Sequence, residues 1–130
     1  MSVSGKKNEM EWLNVSHDGI DASFLNTGES GRIWLRLEGI ILHVACCDLA
    51  TANELLEKLR LVYKKSCILS ASNKIIVEVR GSECLEMPLF QDQVFLFSGD
   101  RQWLIDFINQ KFKRMWLGIE RIREIITKDK

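Results

Sequence analysis

The sequence has no net charge, no long hydrophobic run and no C-x-x-C pair, and each absence excludes something. Eighteen Lys and Arg balance eighteen Asp and Glu, so no global basic field draws nucleic acid, although a local patch stays open. No apolar run approaches the roughly 20 residues of a membrane-spanning helix. The amino-terminal MSVSGKKNEM lacks the apolar core of a signal peptide. A soluble, intracellular, cytoplasmic protein is the expectation. Cys46, Cys67 and Cys84 fall in or beside apolar strand patterns, Cys47 adjoins Cys46, and no C-x-x-C occurs. A zinc knuckle needs two closely spaced pairs, so the three strand cysteines read as reduced, buried small hydrophobes. The glycines are scattered, and no glycine-rich loop follows a strand and opens a helix; a Rossmann-type cofactor site is not indicated. P-loop, G-x-S-x-G and H-E-x-x-H motifs are also absent.

What remains suits one compact domain. At 130 residues, 46% apolar and 28% charged, size and composition are those of a globular chain, with residues 1–9 expected to fray. MEWLNVSH (10–17) reads as a strand, and DGIDASFLNTGESG (18–31) as a loop carrying one or two helical turns. RIWLRL (32–37) alternates with period two, as a half-buried strand does. Glu38-Gly39 signals a tight turn into the more continuously apolar IILHVACC (40–47). That predicts a hairpin whose second strand is central and covered on both faces. Asp48 is placed to cap a helix whose apolar face carries Ala52, Leu55, Leu56, Leu59, Val62 and Tyr63. SCILSAS, KIIVEVR, CLEMPL and VFLF read as further strands, with turns at Asn73 and Gly81, and Pro88 suits a strand end or edge. A long last helix begins at Ser98 and runs to about residue 127, with Gly118 as a candidate kink. The fold class is α+β: a mixed, largely antiparallel sheet with two main helices, the second long and C-terminal.

Few residues carry legible chemistry. His17 and His43 are either satisfied polar groups or proton acceptors; with Cys46 they match a metal's ligand types, but no spacing fixes such a site and no metal is expected. The corner Arg80-Gly81-Ser82-Glu83 between two strands is either a plain turn with Gly81 at positive φ or a binding edge. Lys64, Lys65 and Ser66 follow the first helix, and Lys111, Lys113 and Arg114 lie on the last. Such charges are usually solvated faces, though they suit phosphates as well. Among the tryptophans, Trp12 and Trp116 read as core, while Trp34 and Trp103 stay open for stacking on a base.

Several stretches, in order, match one family. EWLNVSH, IILHVACCDLATANELLEKL, KKSCILS, KIIVEVRGSECLEMPL and FSGDRQWLIDFINQKF resemble the tRNA wybutosine-synthesising protein 3 family across nearly the whole chain. The last stretch includes the family's Asn-x-Lys/Glu step. The resemblance implies an S-adenosylmethionine-dependent methyltransferase, not of Rossmann type, found in archaea and eukaryotes. It would act on N4 of a wyosine-type guanosine at position 37, beside the anticodon of tRNA(Phe). In that setting His17 and His43 become candidate proton acceptors. Arg80, Gly81, Ser82, Glu83, Ser66 and Lys65 become candidate substrate or cofactor contacts, and Lys64, Lys111, Lys113 and Arg114 candidate tRNA phosphate contacts. Family members also carry an amino-terminal Ser-Ser-Cys-Ser-Gly-Arg segment. SVSGKK (2–7) aligns with it, with Val3 for the cysteine and Lys6 for the arginine. The departure leaves two alternatives: the segment comes from a separate chain, or the protein is a non-catalytic RNA-binding or scaffold relative.

Overall fold

The computed structural model describes residues 2–4, 12–26, 28–71 and 74–128. The expected fraying of residues 1–9 falls largely outside this range. So do residues 5–7 of the SVSGKK segment and the turn at Asn73. The class is α+β as expected, with antiparallel strands and two helices, the second running from Arg101 to Lys128.

The strands form two sheets, not one. The first has the order β2-β1-β3-β7-β8 and the second β4-β6-β5. Here β1 is Ser2–Ser4, β2 Trp12–Val15, β3 Arg32–Glu38, β4 Ile41–Cys46, β5 Cys67–Ala71, β6 Lys74–Arg80, β7 Cys84–Gln91 and β8 Val94–Phe95. The chain divides accordingly into two compact units. Residues 1–38 with 83–113 make the first; residues 39–82 with 114–130 make the second.

In the first unit, the alternation of RIWLRL does what period two requires. Ile33, Leu35 and Leu37 are fully buried, and with Leu25, Leu89, Leu104 and Ile108 they supply much of the core. Each such side chain contributes about 1.5–3 kcal/mol by leaving water. β3 pairs with β7 from Arg32↔Gln91 to Glu38↔Cys84, with a register shift between Ile33 and Trp34. Pro88 sits at that shift, opposite Trp34, and lies outside the two pairs that join β7 to β8. A residue without a donor is tolerated there. The β7–β8 hairpin turns through Asp92 and Gln93 at φ 48° and 71°, the two-residue geometry that matches strand twist. The expected helical turn is a 3-10 segment, Ala22–Leu25.

In the second unit, helix α1 (Leu49–Leu59) starts where Asp48 caps it, the Asp48 side chain accepting from the Thr51 amide at 2.7 Å. Ala52, Leu55, Leu56 and Leu59 form a core with Tyr63, Val77, Val79 and Ile122. Helix α2 contributes Ile122 here and Leu104, Ile105, Ile108 and Phe112 to the first unit. The helical assignment is continuous through Gly118, and the glycine lies against Tyr63.

Several expectations are corrected. β3 and β4 are not a hairpin: β3 pairs with β1 and β7, and β4 pairs with β6. β4 is an edge strand with Ile41, Leu42 and His43 exposed, and the central strand is KIIVEVR, buried at Val77 and Val79. Apolar character alone does not separate an edge from a centre. The 80–83 corner is not a hairpin turn either, because β6 and β7 belong to different sheets, and Gly81 is not at positive φ. Trp12 and Trp116 are about half exposed rather than core. All four cysteines are free, but none of the three expected in the core is buried: Cys46 and Cys67 are half-buried, and Cys84 is exposed because it lies on the outward phase of β7.

Candidate functional site

The first unit holds a cleft of about 560 Å³ built around the loop that follows β2. Its lining alternates polar groups (Asn14, Ser16, Asp18, Asp21, Ser23, Asn109) with Val15, Ile20 and Phe24. The loop is held by its own side chains. Ser16 Oγ donates to the Gly19 carbonyl, and Asn14 Nδ2 donates to the Phe24 carbonyl at 3.1 Å. Asp21 caps the 3-10 turn, its Oδ1 accepting from the Ser23 amide at 3.0 Å and the Phe24 amide at 3.3 Å. The Ser23 hydroxyl, and then these amides, hold the Asp21 carboxyl below its ordinary range. Asn109 of α2 anchors the loop at Ile20. It donates from Nδ2 to the Ile20 carbonyl at 2.9 Å and accepts from the Ile20 amide at 2.8 Å. One side chain thus satisfies both backbone groups of a loop residue.

His17 is exposed on this loop, between the lining residues Ser16 and Asp18. His43 is in the second unit, on the open face of the β4-β6-β5 sheet. There it meets a residue that sequence reasoning passed over. Glu78 Oε2 lies 2.9 Å from His43 Nε2, and Glu78 Oε1 lies 3.4 Å from Arg80 Nε. The Glu78 side chain is 15% exposed against 52% and 54% for its partners, so the carboxylate sits beneath the imidazole and the guanidinium. Against a carboxylate, Nε2 is the donor of this hydrogen bond. The signal for Glu78 was present: alternation in KIIVEVR puts Glu78 and Arg80 on one face. What was missing was the β4–β6 pairing that sets His43 opposite Glu78.

The other candidates are dispersed. Arg80 is exposed, and the Gly81 amide donates to the Ile40 carbonyl at 2.8 Å. Ser82 is exposed in the second unit, whereas Glu83 belongs to the first and buries Oε2 without a hydrogen-bond partner. Lys64 and Lys65 are exposed in the turns after α1. Ser66 is buried; its amide donates to the Tyr63 carbonyl, and its own carbonyl accepts from Arg60 Nε at 3.0 Å. On α2, Lys111 Nζ lies 5.2 Å over the Phe107 ring, and Lys113 and Arg114 are exposed. Asn109 is the Asn of the INQKF stretch.

The model of the methyltransferase TYW3 family matches residues 1–128. The chain belongs to the methyltransferase TYW3 family. A protein of Methanocaldococcus jannaschii is 32% identical over 110 residues, covering 79% of this chain and 57% of its own length. It is named tRNA(Phe) 7-((3-amino-3-carboxypropyl)-4-demethylwyosine(37)-N(4))-methyltransferase. A Thermococcus sibiricus protein of the same name is 26% identical, covering 95% of this chain and 66% of its own. This TYW3-family chain therefore spans just over half to two thirds of the curated relatives it matches. Among solved structures, the PH1069 protein from Pyrococcus horikoshii superposes with a TM-score of 0.84 at 24% identity, over 99% of this chain and 71% of that one. A hypothetical protein from Aeropyrum pernix superposes at 0.77 with 23% identity, over 95% and 80%. These superpositions establish the fold of the TYW3-family chain. Within its described residues, no helix is long and apolar enough to cross a membrane.

Proposed function

We propose that this chain is a cytoplasmic tRNA methyltransferase that uses S-adenosylmethionine to methylate N4 of the wyosine-type guanosine at position 37 of tRNA(Phe). The observation that carries the proposal is the family match over residues 1–128. The relatives' printed names supply the reaction, the tRNA and the position.

The residues of the first unit's cleft fit the cofactor. Its volume of about 560 Å³ lies within the range of small-molecule sites. S-adenosylmethionine is a sulfonium cation with a planar base, a ribose and an amino acid. The carboxylates of Asp18 and Asp21 match its cationic and hydroxyl groups, and Val15, Ile20 and Phe24 match its adenine. When bound, the cofactor supplies an electrophilic methyl group.

The chain's own work is orientation and proton management. Asn109 and Asn14 fix the loop that lines the cleft, and holding a reacting group in place is worth up to roughly 7–11 kcal/mol in favourable cases. His17 is the nearest imidazole in sequence to that lining and is assigned to receive the proton lost from the ring nitrogen. His43, oriented by Glu78, is the second candidate for that role. Arg80, Ser82, Lys64, Lys65, Lys113 and Arg114 are assigned to tRNA phosphates.

The test is incubation with labelled S-adenosylmethionine and tRNA(Phe) lacking only the N4 methyl group. A second arm adds a fragment carrying the Ser-Ser-Cys-Ser-Gly-Arg segment. Methyl transfer in either arm supports the assignment. No transfer in both arms, with no cofactor binding by calorimetry, would leave the non-catalytic alternative.

A further inference from the structure

An apolar groove of about 440 Å³ lies in the second unit, and the proposed chemistry makes no use of it. Ile40 and the start of β4, Ile41 and Leu42, line it from the sheet; Ile119, Ile122 and Ile126 line it from α2. Spacings of three and four put those three isoleucines on one helix face. Ile122 is 2% exposed and belongs to the core, whereas Ile41 and Leu42 are 60% and 42% exposed. The core therefore continues to the surface here instead of stopping beneath a polar layer. Of the lining residues only Arg123 and Thr127 are polar. Arg123 lies 3.8 Å from Glu120 on the same helix, and Thr127 Oγ1 donates to the Arg123 carbonyl. A contiguous aliphatic surface of this kind selects an apolar partner.

A second observation falls on the same place. β4 is an outer strand of its sheet, and residues 40–47 contain no Lys, Arg, Asp, Glu or Pro. Open edges are ordinarily guarded by such residues, because an edge strand offers amides and carbonyls to any other strand. An unguarded edge beside an aliphatic groove is a surface that a further piece of polypeptide covers.

The relatives indicate which piece. The Thermococcus sibiricus protein aligns over 131 residues with 95% of this chain, which leaves room for few insertions. The alignment takes in 66% of that protein, so the remaining third lies at its ends. The matched fold thus carries further terminal chain in the relatives. A second copy fits less well, because the second unit holds eleven Lys and Arg against seven Asp and Glu, and two such units meeting face to face repel.

We infer that the groove between β4 and α2 is the docking site for an apolar-faced terminal segment of the kind the longer relatives carry, supplied from outside these 130 residues. This inference rests on the same family match as the proposed function and names a partner for the chain, apart from the chemistry.

The experiment mixes the full chain with each terminal stretch of the Thermococcus sibiricus protein that lies beyond the alignment, held on an inert carrier and labelled with fluorescein. Anisotropy should show saturable binding of one stretch. Leu42→Asp puts a carboxylate in the groove and should weaken that binding at least about tenfold. Leu61→Asp, at a residue 79% exposed and outside the lining, should leave it unchanged. If circular dichroism shows Leu42→Asp unfolded, Ile41→Asp takes its place. Hydrogen exchange of the wild type needs no substitution: the amides of residues 40–46 and 119–127 should exchange more slowly with the stretch bound. Failure of both stretches to bind overturns the inference. So does binding that Leu42→Asp and Ile41→Asp both leave intact, or exchange that does not slow in those residues. A dimer in sedimentation that Leu42→Asp abolishes also overturns it, since the occupant is then a second copy. Binding at the groove without methyl transfer keeps the docking site and removes the enzymatic reading; methyl transfer with no binding at the groove does the reverse.

Discussion

Gly118→Ala tests the packing of the second unit, because two known effects oppose each other there. At an ordinary position inside a helix, replacing glycine by alanine stabilises by about 1 kcal/mol, through lower backbone entropy in the unfolded chain. Gly118 is buried in α2 against Tyr63, which is only 4% exposed. A Cβ on residue 118 would overlap the phenol oxygen of Tyr63 and stand 2.7 Å from its Cζ and 3.2 Å from its Cε2. Carbon atoms prefer roughly 3.5–4.0 Å, so the ring has to retreat by several tenths of an ångström or more. It is enclosed by the core of Leu55, Leu59 and Val77. Overpacking of this kind costs about 1–3 kcal/mol, and occasionally more. The clash should win, for a net loss of up to about 2 kcal/mol, or roughly 4 °C per kcal/mol in Tm for a chain of this size.

Urea unfolding followed by far-ultraviolet circular dichroism reads the effect as a lower midpoint. Tyr63→Phe in the same chain removes the oxygen but leaves the Cζ contact. The double variant should therefore recover only part of the loss, with a coupling of about 0.5–3 kcal/mol. A midpoint that rises in Gly118→Ala, or two substitutions that simply add, would refute the close approach of α2 to Tyr63.

Three further outcomes follow from particular contacts. Asn109→Ala strands the Ile20 amide and carbonyl, and should cost about 1–3 kcal/mol in urea unfolding while weakening calorimetric binding of S-adenosylmethionine; unchanged cofactor affinity would separate the cleft from the cofactor. Arg80→Ala should weaken tRNA binding and lower the slope of log affinity against log salt by about 1 if Arg80 meets a phosphate, with stability changed by no more than about 0.5 kcal/mol; an unchanged slope would make Arg80 only a partner of Glu78. The carboxyls of Asp21, Asp48 and Asp92 are all held below the ordinary range, chiefly by the Ser23 hydroxyl, the Thr51 amide and the Gln91 side chain respectively. Groups depressed in the folded state bind fewer protons there than in the unfolded chain. Their contribution is thus present above the ordinary carboxylate pKa of about 3.9 and lost as pH falls through the lower folded values. Asp48→Asn should flatten the fall of Tm below about pH 4, and an identical slope would show that Asp48 contributes nothing to it.

Local patterns carried the elements, and pairing decided the site. Asp48, the alternation of RIWLRL and the three-four spacing of α1 were legible because each depends on neighbours within a few residues. The long last helix was legible too, ending within a residue of its expected limit. Pairing between distant strands is a different kind of information. Turn signals at Glu38-Gly39 and Gly81 fit a hairpin, and equally a chain that leaves one sheet for another. The structure takes the second course at both places, and the Gly81 amide bonds to the Ile40 carbonyl.

That choice decides which candidate residues meet and which lie apart. With β4 paired to β3, His43 has no acid opposite it. With β4 paired to β6, it meets Glu78, which also holds Arg80. Asn109 shows the same limit from the other side. Its chemistry is a bidentate hold on the backbone of Ile20, 89 residues earlier, and no local pattern on α2 marks one half-buried Asn for that task. Trp103 went the opposite way. An apolar stripe wider than one core needs leaves a surplus, and the surplus is what the first unit presents to solvent.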